Sequence, residues 1–150
     1  AQLRAGRPGD AGLTVKFLRI QSGSIQEADD LSAGGLIVVT FTGTLAVGVG
    51  NAEFPVARPL TIVGVTPRAS TAPTGADAIF DLNKNGTTVF TTQSNRPRVT
   101  DGNKLGSITV PDVTSVAEGD YLTVDCDQIG STIAGANAVL VIEYAFSALT

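Results

Sequence analysis

The stretch DLNKNGTTVFTT, Asp81 to Thr92, admits two structures, and the choice between them decides the fold. Asp81, Asn83, Asn85 and Gly86 match the first half of a calcium-binding loop, D-x-[DN]-x-[DN]-G. Counted from Asp81, however, the bidentate carboxylate of such a loop belongs where Thr92 stands, and a threonine cannot supply it. The flanking segments, DAIF and TTVF, are rich in strand formers where the loop needs helices. Asn-Gly between extended segments is a strong hairpin signal, since both residues accept the positive φ that a tight two-residue turn demands. The stretch therefore predicts two strands and a turn, with no metal site.

Composition points the same way. The chain has 150 residues, 43% of them hydrophobic, enough to bury a core. Val, Ile and Thr fall in short runs separated by Gly, Pro, Asn and Asp. From Gly35 onward the runs LIVVTFTG, TLAVGVG, LTIVGVTPRA, DAIFDL, TTVFTTQ, YLTVDCDQI and AVLVIEYAF recur at the spacing of an all-β sandwich or barrel. AEFPVA contains Pro55, which restricts it to an edge or an irregular strand. NRPRVTDGNK is expected to be a polar loop, and LTIVGVTPRA to end near Pro67. Before Gly35, LTVKFLRI is a candidate strand, and SIQEADDL carries Ser24 and Glu27 at capping-box spacing, which predicts a helical turn. The expected division is an N-terminal arm over 1–34 and a β-sandwich of about eight strands over 35–150.

Charge is divided unevenly along the chain. Residues 1–20 hold Arg4, Arg7, Lys16 and Arg19 against Asp10, a surplus of three positive charges. The formal −4 of the whole therefore leaves −7 on the remainder. An acidic body argues against general nucleic-acid binding, whereas a basic arm suits docking on an acidic protein surface. Arg4, Arg7, Lys16 and Arg19 are accordingly the candidate partner-binding residues. Gly6, Gly9 and Gly12 have a period of three, but two triplets are too few for a collagen helix. No run of about 18 apolar residues suggests a membrane-spanning helix.

Catalytic chemistry finds little support. The chain has no histidine, which removes the usual Ser-His-Asp and zinc-hydrolase arrangements. Cys126, the single cysteine, alternates with Leu122 and Val124 on what should be a buried face, and lacks an activating base. Asp125 and Asp127 share the opposite face, as a wet surface or as paired carboxylates. GVGNAEF has glycines without a βαβ context. Arg96 and Arg98, on either side of Pro97, are the one candidate anion grip. A carboxylate hydrolase built from Asp120, Asp125 and Asp127 is the weakest reading, and no enzyme, metal or cofactor is expected.

One resemblance sharpens these expectations. Residues 71–144 carry Ala72-Pro73-Thr74-Gly75-Ala76, Asn83 to Gly86, Asn95-Arg96-Pro97, Asp112-Val113-Thr114, Gly119-Asp120-Tyr121-Leu122 and Asp127 to Thr132 in order. This succession of turn motifs resembles a β-domain of tailed-bacteriophage virion proteins. The resemblance implies a jelly-roll-like sandwich, commonly trimeric, with a structural or recognition role and no catalytic residues to carry over. The short lead-in suits a capsid-decorating protein on the shell surface better than a fibre. A homotrimer contacting the major capsid protein or other virion subunits is expected, with neither nucleic acid nor membrane as partner. The alternative is a tail-tip or fibre-head module that recognises a host glycan or protein through loops Thr66–Ala76, Ser94–Lys104 and Gly130–Asn137. AVLVIEYAF is apolar on both faces, so it expects cover on both sides, from its own chain or from another subunit.

Overall fold

The structure, a computed structural model, describes residues 17–21, 24–28 and 34–147, the first two segments by backbone alone. The first two form an antiparallel hairpin of β1 (Phe17–Gln21) and β2 (Ser24–Ala28), in register from Phe17 opposite Ala28 to Gln21 opposite Ser24. The helical turn expected around Ser24 and Glu27 is therefore a strand. Capping-box spacing is a purely local preference, and five cross-strand pairs outweigh it.

The body contains β3 (Gly34–Thr44), β4 (Gly48–Val49), β5 (Phe54–Pro55), β6 (Leu60–Thr71), β7 (Ala78–Lys84) and β8 (Thr87–Thr88). A turn of 3-10 helix at Gln93–Asn95 precedes β9 (Arg98–Val99), β10 (Ser115–Val116), β11 (Tyr121–Gln128) and β12 (Ala136–Phe146). One sheet has the order β10-β6-β12-β3 and the other β4-β11-β7-β8, with β5 also on β11 and β9 also on β7. The chain from Leu105 to β10 rides along β6 through bridges at Arg68–Leu105 and Val65–Thr109. Taking that run, β4 with β5, and β8 with β9 as one strand each leaves eight strands. The first sheet then holds the first, eighth, third and sixth, and the second holds the second, seventh, fourth and fifth. This interleaving is a jelly roll.

Alternation explains the core. On β11, Leu122, Val124 and Cys126 point inward and are buried, as their spacing requires. β7 turns Phe80 and Leu82 to the same interior, and β12 contributes Ala138, Leu140 and Ile142. Phe41 of the four-stranded sheet meets Phe80 of the six-stranded sheet with ring centroids 5.3 Å apart, which ties the layers together. β6 continues past Pro67 to Thr71, further than Pro67 suggested. The Pro67 carbonyl accepts from the Gly106 N–H at 2.9 Å, so the missing donor of the proline faces that same side. There the neighbouring run makes only isolated bridges, and the lost hydrogen bond is tolerated. Pro55, as expected, lies on a two-residue strand at the margin.

The Asn85-Gly86 turn joins β7 and β8 as a hairpin, with φ of 51° and 76° at the two residues. Asn85 is further held by Asp120: its amide donates to Asp120 Oδ1 at 2.7 Å and its Oδ1 accepts from the Tyr121 N–H at 3.0 Å.

Candidate functional site

Three surfaces of the body gather polar or apolar side chains that the core does not use. The first is the outer side of the six-stranded sheet. Asp81 and Asp125 are register partners on β7 and β11. Thr88 donates to Asp81 Oδ1 and Asn83 to Asp125 Oδ2, both at 2.7 Å. Burial raises both carboxyls above their ordinary value of 3.8, and the nearby Asp127 adds to the effect. Asp127 is itself paired with Arg96. Asp120 stands apart at the far end of β11, held by Asn85 and by the Ala117 N–H. The three aspartates considered for hydrolysis are thus not one constellation. Among the described residues no group of three His, Cys, Asp or Glu could hold a metal ion.

Asp81 and Asn83, read at first sight as calcium ligands, sit on β7 within this face. The hairpin reading holds at that stretch. That Asp81 would face Asp125 was invisible in the sequence, because it depends on the register of strands some forty residues apart. Cys126 lies beneath this face, fully buried, and burial pushes its thiol up to about 11. A thiol so placed is a poor nucleophile.

The second surface is one end of the sandwich, where loops converge. Thr74 pairs with Ile133, its N–H donating to the Ile133 carbonyl at 2.9 Å. The Gly102 N–H donates to the Pro73 carbonyl, and Gly75 donates to Asp101 Oδ1. Portions of the three loops expected for a recognition module therefore do come together, although 66–71 belongs to β6. Beside them a pocket of about 380 Å³ is lined by Arg96, Arg98, Ser94 and Val110 among others. The Arg98 guanidinium donates to the Ser94 carbonyl at 2.6 Å and faces Asp77 at 3.7 Å. With Arg96 given to Asp127, both candidate anion-gripping side chains serve the protein's own loops. NRPRVTDGNK is likewise not all loop, since Arg98 and Val99 form β9 against β7.

The third surface is the outer side of the four-stranded sheet. Leu36 and Val38 on β3 are 61% and 55% exposed. At the opposite margin Leu105, Ile108 and Val110 are exposed to nearly the same degree, 57–58%. Val63, the extra residue of a bulge opposite Glu143 and Tyr144, adds a further apolar side chain. Between the margins lie Val139 and Val141, half-buried, with Glu143, Thr66 and Arg68. The two-sided apolar character of β12 is thus met on the inside by the core. On the outside it is met only by neighbouring strands, among the described residues.

Of the residues expected to bind a partner, Arg4, Arg7 and Lys16 lie outside the described residues. Arg19 lies on β1 opposite Gln26. No helix among the described residues is long and apolar enough to cross a membrane. Set against known proteins, the chain matches no family model and no curated protein.

Proposed function

We propose that this chain is a non-enzymatic structural protein of a bacteriophage virion, a trimeric decoration subunit of the capsid surface anchored by its N-terminal arm. One observation carries the reading. Most of the body's charged side chains are tied to its own turns and strands, while six of the ten exposed large apolar side chains of the described residues, Leu36, Val38, Val63, Leu105, Ile108 and Val110, lie on one outer sheet face. Arg96 binds Asp127 on β11, and Arg98, Asp101, Asp112 and Asp120 each bind a neighbouring loop or turn. Such a body works by being rigid and by packing against other subunits. A jelly roll by itself assigns no activity. The order of turn motifs over 71–144 and the basic arm on an acidic body lend the virion reading its direction. The arm, with Arg4, Arg7, Lys16 and Arg19, docks on the shell protein, and the sandwich stands outward.

The test is binding of the full chain, and of a chain beginning at Gly35, to particles lacking this protein. Full-length binding with at least a tenfold loss on truncation is expected. Equal binding by both overturns the anchoring role of the arm.

A second reading, a tail-tip or fibre-head module for a host glycan or protein, is favoured by the convergence of 72–76, 101–103 and 130–135 at one end. With six Phe, two Tyr and no Trp, the chain is poor in the rings on which sugars stack. A glycan array that stays silent with the assembled protein removes most of the support for this reading.

A further inference from the structure

We infer that β3 takes up an extended polypeptide strand of a partner protein along its free edge, with a Lys or Arg of that strand set against Glu53. The inference goes beyond the proposed function and does not draw on the arm. β3 and β12 pair in unbroken register from Gly34 opposite Ala145 to Phe41 opposite Ala138. On its other side β3 has no strand among the described residues. Every second residue of such a strand turns both its N–H and its C=O away from the partner it has. Over 34–42 nothing among the described residues receives these groups, since no backbone hydrogen bond outside the β12 ladder reaches them.

The rest of the body treats its edges differently. The other edge strands of its two sheets, β4, β5, β8, β9 and β10, have two residues each, which leaves little backbone to pair. β3 has eleven, GGLIVVTFTGT, without the prolines and charges that usually keep an edge from pairing. Beside it a groove of about 590 Å³ lies between 36–40 of β3 and the segment 50–55. Ile37 packs against the core yet stays only partly buried on this open side. The far wall is tied to β11: Asn51 Oδ1 accepts from the Val124 N–H, and the Gly50 N–H donates to the Val124 carbonyl, both at 2.7 Å.

The free polar groups of this edge define the chemistry of its occupant. A row of alternating N–H and C=O at strand spacing is matched by another extended backbone, which adds as a further strand. Glu53 lies in the groove wall without an ion pair among the described residues, and no Lys or Arg lines the groove. The Tyr144 ring lies over Gly35, where an added Cβ would come within 2.6 Å of its hydroxyl, and that hydroxyl makes no hydrogen bond among the described residues. An apolar strand with a basic residue satisfies the edge, the groove and Glu53 together. A second copy fits less well. Its one long free edge among the described residues of the body is β3 again, whose groove adds a second Glu53 and no positive charge.

The experiment uses the full chain and three synthetic peptides: Lys-Val-Thr-Val-Thr-Val-Thr-Lys, a twin with Glu at both ends, and a twin with Pro at the fourth position. Fluorescence anisotropy is expected to show saturable binding of the first and at least tenfold weaker binding of the Glu twin, whose charges oppose Glu53. The Pro twin, which cannot complete the ladder, is expected not to bind. Glu53→Lys, at an exposed position, should reverse the preference between the Lys and Glu peptides. Amide exchange read by NMR should find alternate N–H groups over 36–42 open in the free chain and slowed at least tenfold by the Lys peptide. A Lys peptide that does not bind, or binds without slowing those amides, overturns the inference. Equal affinity for the Lys and Glu peptides overturns it as well, since Glu53 then selects nothing. So does finding the same amides already slow in the free chain, which means that the edge is covered without a partner protein. The shell-docking reading is decided separately, by the arm-truncation assay.

Discussion

Asp81 on β7 and Asp125 on β11 stand directly opposite each other on the outer side of the six-stranded sheet, two carboxylates in a position that favours unlike or apolar pairs. Burial, first of all, lifts both above 3.8, against the hydrogen bonds from Thr88 and Asn83 that work in the other direction. The buried Oδ1 of Asp125 has no hydrogen-bond partner in the protein.

A carboxyl that holds its proton more tightly folded than unfolded favours folding in acid. That contribution is complete below 3.8 and disappears as pH rises through the raised values. Asp125→Asn removes the buried charge and its repulsion by Asp127 while leaving an amide oxygen for Asn83. It is expected to stabilise the protein by up to about 1 kcal/mol at neutral pH, the scale of a cross-strand pair. The gain should shrink towards nothing below 3.8, where the native Asp125 is itself protonated. Urea unfolding at the two pH values checks both halves, and a loss of stability at neutral pH contradicts the account.

Asp112 and Asp120 act in the opposite sense. The Thr92 N–H holds Asp112 below its ordinary value, and the Asn85 amide does the same for Asp120. Their contribution is present above 3.8 and is lost as pH falls through the lowered values. Asp120→Asn is therefore expected to destabilise at neutral pH and to become indistinguishable from the native chain in strong acid, the mirror image of Asp125→Asn.

Gly86 has φ of 76° and open space around it, since an added Cβ meets only the Tyr121 hydroxyl at 3.6 Å. Gly86→Ala should cost about 1–2 kcal/mol through backbone conformation alone. Gly86→Asn, which tolerates that region, should recover most of it. The pair separates turn geometry from packing, and denaturant midpoints report it.

Gly130 is restricted by space. A Cβ there would collide with the Ile133 carbonyl oxygen and come within 2.8 Å of the Thr74 nitrogen. Gly130→Ala is expected to break the Thr74–Ile133 bridge. It should accelerate amide exchange at Thr74 and Thr132 and lower stability by about 2 kcal/mol or more. Unchanged protection at those amides refutes the assignment.

Cys126, with its thiol pushed up to about 11 and no exposed surface, should resist a thiol reagent in the folded protein and react stoichiometrically once unfolded. Labelling with and without denaturant decides this.

How far the sequence reveals this molecule depends on the range of the interaction. The Asn85-Gly86 hairpin, the inward face of YLTVDCDQ and the marginal position of Pro55 follow from neighbours in sequence and are legible there. The Ser24–Glu27 spacing points to a helical turn only because the sequence does not show the β1–β2 pairing that overrides a local cap. LGSITVPDV, residues 105–113, makes only two bridges before β10, with Gly106 packed against the Arg98 carbonyl and the Pro67 ring. The Asp81–Asp125 relationship and the two apolar margins depend on long-range register, which single-sequence patterning does not contain. The use of Arg96 and Arg98 as loop ties depends in the same way on where Asp127 and Asp77 come to rest.

The pairing of β3 with β12 also sets the order of events during synthesis. β3 has β12 as its sheet partner, Gly34 lying opposite Ala145 and Thr44 opposite Ala136. The strand made first in the body must therefore wait for β12, the last strand of the sheet in sequence, before its hydrogen bonds and its inward Val39 find their places. Such separation makes folding slow and leaves an unpaired apolar strand available to other nascent chains.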